Sequence, residues 1–225
     1  MKKIMEHWRE FQKRRLDEKM VLRDYKKYAS IVSEAYQARP VKDSQVIDSY
    51  KALIKSNNKW YKRLKSKIDV KVVDNYNKIG YKSAEDMKDR VEESGVMIID
   101  ERFAEHPVLS KKQTYIFRAV HDYIVHILGE KPFGLKGELQ AYNLHAKLIP
   151  DKAKTAIFSE VVGQVSVEIS TGNFPNPQKA CKLFGFDYNK VGRVNWQEYQ
   201  KNFSEEYGGK GKYDESEEKP ISAET

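Results

Sequence analysis

The sequence contains a single cysteine, Cys181, among its 225 residues. One cysteine excludes an intramolecular disulfide and any zinc site built from several thiolates. No segment approaches the roughly 20 apolar residues that a membrane span requires, and the mean hydropathy is −0.76. The basic residues at the start of the chain have no apolar run behind them, so no signal peptide is predicted. We therefore expect a cytoplasmic protein without a membrane partner.

Several catalytic motifs are also missing. The chain has no glycine-rich phosphate loop, no G-x-S-x-G sequence and no H-E-x-x-H sequence, which argues against the enzymes built on those motifs. Cys181 lies in the apolar run from Ala180 to Phe186, and a cysteine in such surroundings is typical of a buried core position rather than of a nucleophile.

Positive charge is concentrated in the N-terminal third. Residues 1–68 hold 19 Lys and Arg against 8 Asp and Glu, whereas the rest holds 22 against 25, for a net charge of +8. Aromatic residues are mixed with the lysines near Trp60 and Tyr61. Such a region either contacts nucleic-acid phosphates or forms a solvated helical face, and residues 1–67 are our candidate for nucleic-acid contact.

The hydrophobic pattern predicts a mainly α protein: a helical core of about three packed helices, a long N-terminal helix and a small two-stranded β element. We expect a basic helical region over 1–67, a helical metal-site domain over 68–207 and a disordered tail over 208–225, where apolar side chains are scarce.

Individual elements follow from local signals. The long helix is expected from Met1 to about Gln37, before Arg39-Pro40, and alternating β-branched residues predict strands at 68–73 and 96–100. Three neighbouring helices are expected at about 110–128, 135–148 and 151–170. Capping boxes are expected at Ser83 and Ser110. A small helix is expected through Ala180, Leu183 and Phe184, and Asn195 is expected to cap a last helix.

The three core helices carry polar residues within apolar surroundings. These candidates are His121, Asp122, His126, Glu138, His145, Glu160 and Gln164. Buried polar groups are costly unless they are paired or bind a metal. Three adjacent helices that each present an acid or histidine at compatible spacing indicate a helix-bundle metal site, although for any one of these residues an ordinary core role remains the alternative.

The spacing of the histidines poses a geometric condition. His121 and His126 are five residues apart, about 140° around an ideal α-helix. Both can bind one metal only if the helix ends or is distorted near His126. Glu138 and His145 share a face of the next helix, and Glu160 and Gln164 share a face of the third.

Three motifs in this region resemble a family of uncharacterised bacteriophage proteins. They are F-R-x-V-H-D-x-x-x-H at 117–126, G-E-x-x-A-Y-x-x-H at 137–145 and E-x-x-G-Q at 160–164. The resemblance covers roughly Val96 to Gln164. It implies a phage origin and brings no established activity.

The proposed ligand set is similar to that of a second group of proteins. His121, His126 and the later Glu160 are similar in spacing to the two histidines and glutamate that bind Fe(II) in aromatic amino acid hydroxylases. Histidine and carboxylate without thiolate suit iron, manganese or zinc, and two histidines with one carboxylate suit a non-haem Fe(II) site.

We therefore predict a metal-dependent enzyme with His121, His126, Glu160 and Asp122 as metal ligands, Fe(II) being favoured over Mn or Zn. The predicted catalytic or orienting residues are Glu138, His145, Gln164 and Arg118, the last as a contact for an anionic substrate. An Fe(II) oxygenase stands ahead of a metal-dependent hydrolase. A non-enzymatic phage protein that binds nucleic acid or virion components is the alternative.

Overall fold

The computed structural model describes residues 25–74, 80–102 and 104–207, and it is mainly helical. Within these ranges, no helix is both long and apolar enough to span a bilayer. The first helices are α1 (Tyr25–Ala38) and α2 (Ile47–Lys65), separated by a 3₁₀ turn at Ser44–Val46. The predicted helix from Met1 to Gln37 is thus found from Tyr25 onward, and its earlier part lies outside the described residues.

A two-stranded parallel sheet follows. Strands β1 (Asp69–Val73) and β2 (Val96–Asp100) pair in register from Asp69 opposite Val96 to Val73 opposite Asp100. Parallel strands need a crossover connection, and helix α3 (Ala84–Ser94) lies in that connection. Ser83 caps α3 by accepting the N–H of Asp86, and Gly95 ends the helix in the left-handed region. The predicted two-stranded element is confirmed.

The three predicted core helices are present, and two of them contain π-helical turns. Helix α4 (Lys111–Asp122) begins at the Ser110 capping box and continues into π1 (Tyr123–Leu128). Helix α5 (Leu135–Ala146) follows. The third is a continuous run of a 3₁₀ turn (Asp151–Ala153), α6 (Lys154–Ile157), π2 (Phe158–Gly163) and α7 (Gln164–Thr171).

The N-terminal helices share the core of the predicted metal-site domain. Tyr28, Tyr36 and Leu53 belong to the same buried cluster as Leu139 and Phe158. Helix α1 packs along α7 and π2, and a Cβ at Gly163 would stand 2.6 Å from Cδ2 of Tyr36. Residues 25–67 are therefore packed as part of the same helical body, through an approach that glycine permits.

The segment after α7 differs from the prediction. No helix forms through Ala180, Leu183 and Phe184, because Ala180 pairs instead with the chain near Lys42 in an isolated parallel bridge. Cys181 is fully buried there, as predicted. The last helix, α8 (Trp196–Tyr207), begins at Asn195, whose side chain accepts the N–H of Glu198 at 3.2 Å. The predicted disordered tail from residue 208 lies outside the described residues.

Candidate metal centre

The π1 turn lies where the histidine spacing required a distortion. His121 is near the end of α4 and His126 is within π1. A π-helix forms i→i+5 hydrogen bonds, so its wider turn brings residues five apart towards one side, and such turns are frequent at functional sites. The two imidazole rings lie 5.5 Å apart, centroid to centroid. The helix distortion that the spacing demanded is therefore present.

Glu138 supplies the carboxylate between these histidines. Its Oε2 atom is 3.3 Å from Nε2 of His121, and its Oε1 atom is 3.3 Å from Nε2 of His126. One ligand atom from each of the three residues lies within 4.8 Å of the others. Both histidines are buried, and the Glu138 side chain keeps 18% of its exposure. The cluster is closed on the protein side and open towards solvent at Glu138.

The distances suit a shared cation. Nitrogen–oxygen separations of 3.3 Å are long for N–H···O hydrogen bonds, which prefer 2.7–3.2 Å. Two ligand atoms that each lie about 2.1 Å from one tetrahedral ion are about 3.4 Å apart. Each imidazole is thus spaced from one oxygen of Glu138 as two ligands of a metal ion would be, and one atom from each of the three residues lies within 4.8 Å of the others.

The backbone around Lys131 fixes the orientation of His126. Nδ1 of His126 lies 2.7 Å from the carbonyl oxygen of Lys131 and must donate its proton to it. In the neutral imidazole this leaves the lone pair on Nε2, the atom that faces Glu138. A ligand histidine whose other nitrogen donates to a carbonyl is the usual arrangement in metal sites. No sequence pattern predicts this contact, because its acceptor is a main-chain carbonyl of a loop.

Gly137 allows that loop to reach the site. A Cβ at Gly137 would stand 1.7 Å from the carbonyl oxygen of Pro132, so a larger residue would displace the segment that holds His126. Phe133 of the same loop packs its ring against His126 at 4.8 Å between centroids. Gly137 thus allows the loop to approach closely, and the next residue, Glu138, is a candidate ligand.

His145 lies behind His121. The two Nδ1 atoms are 3.3 Å apart, and Phe117 stacks on both rings. Burial lowers the pKa of His145 well below its ordinary value, and the charge of His121 lowers it further, so His145 is neutral. Its Nε2 atom is buried without a hydrogen-bond partner among the described residues. His145 thus lies beside a candidate ligand, and its orienting role stays a prediction.

Electrostatics couple the carboxylate to the histidines. Burial raises the pKa of Glu138, but hydrogen bonds and positive charge from His121 and His126 outweigh it and lower that pKa to about 2. Burial lowers the pKa of His126, but the hydrogen bond and charge of Glu138 outweigh it and raise that pKa above its ordinary value. The Glu138 carboxylate and the His126 imidazole thus each stabilise the charged form of the other.

Asp122 and Arg118 flank the cluster. Burial raises the pKa of Asp122 despite the nearby charges of His126 and His121, and Asp122 is not part of the three-residue group that could hold the ion. Arg118 donates from one guanidinium nitrogen to the carbonyl oxygens of Asp100 and Arg102, at 2.9 and 2.6 Å. Arg118 therefore anchors the chain after β2 to α4.

The predicted ligand Glu160 belongs to a different network. Its Oε1 atom accepts from Tyr50 and lies 2.9 Å from Nε2 of His106, and its Oε2 atom accepts from Gln164 at 2.8 Å. Nδ1 of His106 accepts the backbone N–H groups of Val108 and Leu109. Nε2 of His106 therefore carries the proton and donates to Glu160.

Glu160 and Gln164 therefore belong to a hydrogen-bonded network that joins α2, the 101–110 loop and α7. Neither residue is part of the three-residue group that could hold a metal ion. Gln164 also donates to the side chain of Gln178 at 3.1 Å. The helical neighbours Glu160 and Gln164 are adjacent as predicted, and Glu138 is the carboxylate of the group that could hold a metal ion.

Comparison with protein-family models, with curated proteins and with solved structures finds no match to this chain.

Proposed function

We propose that this protein is a metal-dependent enzyme that binds one divalent ion through His121, His126 and Glu138. The observation that carries the proposal is the convergence of these three side chains, with Glu138 3.3 Å from each histidine. In this proposal the third metal ligand is Glu138 and not Glu160, which the sequence suggested.

The ligand number supports catalysis rather than a structural ion. Structural zinc sites are closed by four protein ligands, whereas catalytic sites keep three and leave positions for water or substrate. The described part of the chain offers three candidates in this group. Partial exposure of the Glu138 side chain gives a substrate a direction of approach.

Iron(II) is the metal we favour. Two histidines and one carboxylate form the facial triad of non-haem Fe(II) oxygenases. A bound Fe(II) ion would supply the redox chemistry that activates dioxygen. The chain itself holds the ligands and limits water: Phe117 covers the rings of His121 and His145, and Phe133 covers the edge of His126.

A hydrolase is the second candidate, and Asp122 is the observation that favours it. Asp122 follows a ligand directly in the chain, and burial raises the pKa of its carboxyl. A carboxylate with a raised pKa is a better proton acceptor at neutral pH. In this alternative, Asp122 accepts the proton of the attacking water while a zinc or manganese ion supplies Lewis acidity.

Nitric oxide binding tests for an open iron position, and hydrolytic turnover of the zinc or manganese form separates the two candidates. Protein loaded anaerobically with Fe(II) and treated with nitric oxide is expected to give the electron paramagnetic resonance signal of a high-spin ferrous nitrosyl, which requires an open coordination position. A Glu138→Gln variant is expected to lose this signal. No signal from the loaded protein, together with cleavage of a chromogenic phosphodiester or ester by the zinc or manganese form, would replace the oxygenase proposal by the hydrolase.

A further inference from the structure

The solvent face of α2 carries a row of lysines, which we call the α2 basic stripe: Lys51, Lys55, Lys59, Lys62 and Lys65. All five are exposed. At about 100° per residue they fall within an arc of about 120°, and at 1.5 Å rise they extend over about 21 Å. The positive charge that the sequence concentrates in its N-terminal third thus forms one linear surface here.

The middle of this stripe is not neutralised. Asp48 pairs with Lys51 at 2.8 Å, and Asp69 lies 4.0 Å from Lys65, so the acids stand at the two ends. In the ranges 25–74, 80–102 and 104–207, no carboxylate lies within salt-bridge distance of Lys55, Lys59 or Lys62. Exposed pairs such as that of Lys51 are weak, so the end lysines can exchange their partners for another anion.

The aromatic residues of α2 do not share this face. Trp60 and Tyr61 pack against buried clusters, and the indole N–H of Trp60 donates to the carbonyl of Leu148 at 3.4 Å. Arg63 lies over the Trp60 ring at 4.9 Å. The mixture of lysine and aromatic residues in the sequence therefore separates in the fold, and the stripe offers ammonium groups without rings on which bases could stack.

We propose that the α2 basic stripe binds the phosphate backbone of nucleic acid without reading its bases. Neighbouring lysines stand about 4.5–6 Å apart along the helix, so several can act together only on an extended polyanion. Contacts to phosphate position a protein on nucleic acid but carry no sequence information. This surface is separate from the metal centre and does not depend on it.

A membrane surface fits the stripe less well. Helices that lie on membranes insert an apolar face beside their lysines. The large exposed apolar residues in the described part of the chain are Val41, Val72, Phe133 and Ile169, and none of them is on α2. The apolar face of α2 is already used in the core.

The test is fluorescence anisotropy of the full chain with a duplex DNA of about 20 base pairs and with single-stranded DNA and RNA of the same sequence, over a series of salt concentrations. If each lysine neutralises one phosphate, log affinity falls with log salt at about −0.9 per lysine on duplex. A Lys55→Gln, Lys59→Gln, Lys62→Gln variant should lower the magnitude of the slope by about 2.7 and weaken binding at least tenfold. Shuffling the probe sequence should change nothing.

A matched control uses the exposed lysines Lys111, Lys112 and Lys190. The triple glutamine variant at these positions has the same net charge and should bind like wild type. If both triple variants lose the same nucleic-acid affinity, net charge alone explains the binding, and the proposal is overturned. Wild-type affinity in the stripe variant, or binding to phosphatidylserine vesicles with none to nucleic acid, would also overturn it. Glu138→Gln should bind nucleic acid normally, which keeps this test separate from that of the metal centre.

Discussion

The imidazoles of His145 and His121 face each other through their Nδ1 atoms at 3.3 Å. One of the two nitrogens must donate and the other accept. When Nδ1 of His121 donates, its Nε2 atom presents a lone pair towards Glu138. His126 has the same arrangement, because its Nδ1 atom donates to the Lys131 carbonyl and leaves the lone pair on Nε2. We propose that His145 is a positioning residue that sets the tautomer of His121, a role that commonly changes metal affinity by 10–100-fold.

Replacement of His145 tests this role. His145→Phe keeps a ring against Phe117 but removes the acceptor, and we expect metal affinity to fall roughly 10–100-fold while binding persists. His145→Asn restores an acceptor oxygen near the Nδ1 position and should recover most of the affinity. The measurement is competition against a chelating dye. If His145→Phe binds the metal as tightly as wild type does, His145 has no positioning role.

Substitution at Gly137 should damage the site from the main chain. A Cβ there would meet the Pro132 carbonyl at 1.7 Å, so Gly137→Ala must shift the loop that positions His126. We expect a loss of about 1–3 kcal/mol in the free energy of unfolding and weaker metal binding. Urea denaturation and the dye competition measure the two effects. The exposed neighbour Lys136→Ala should change neither, and an unaffected alanine variant at 137 would contradict the loop's role.

Asp43 should make stability depend on pH. It is 4% exposed and bonds Arg39 at 2.6 Å. Burial raises the pKa of Asp43, but the Gln45 N–H and Arg39 outweigh it and hold that pKa below its ordinary 3.8. A lowered carboxyl pKa contributes stability that is present above the ordinary value and is lost as pH falls below it.

The comparison is between wild type and Asp43→Asn in urea denaturation from pH 7 to pH 3. At pH 7 the variant should be less stable by about 3 kcal/mol, because it leaves the buried Arg39 charge without its carboxylate. The difference should shrink as pH falls below 3.8. Asp48→Asn, which removes an exposed partner of Lys51, should follow wild type at every pH. A constant difference for Asp43→Asn would contradict the lowered pKa.

Local signals in the sequence were sufficient for much of the fold. The capping box at Ser110, the Ser83 N-cap, the stop at Gly95 and the β-branched strands depend on residues close together in the chain, so these elements form where predicted. At Ser83 the box is incomplete, because the Asp86 carboxylate accepts from the Lys82 N–H. The helix expected through Ala180 is absent because its backbone bonds to a distant segment near Lys42, and helical periodicity carries no information about that pairing.

The two histidines of the candidate metal group were predicted from the sequence, because their spacing is a local feature. The spacing of His121 and His126 demanded a distorted helix, and π1 provides it. The sequence does not show which of Glu138 and Glu160 lies beside the two histidines, because both are carboxylates in neighbouring helices. Residues that lie far apart in the chain distinguish the two: Tyr50 and His106 contact Glu160, whereas Glu138 lies beside His121 and His126.

That choice gives the most direct test of the metal centre. The wild-type chain and its Glu138→Gln and Glu160→Gln variants are reconstituted anaerobically with Fe(II), passed through a desalting column and measured by elemental analysis. Thermal unfolding confirms that each is folded. We predict about one equivalent of iron in wild type and in Glu160→Gln, and none in folded Glu138→Gln. Iron retained in Glu138→Gln, or lost in a folded Glu160→Gln, would contradict the site described above.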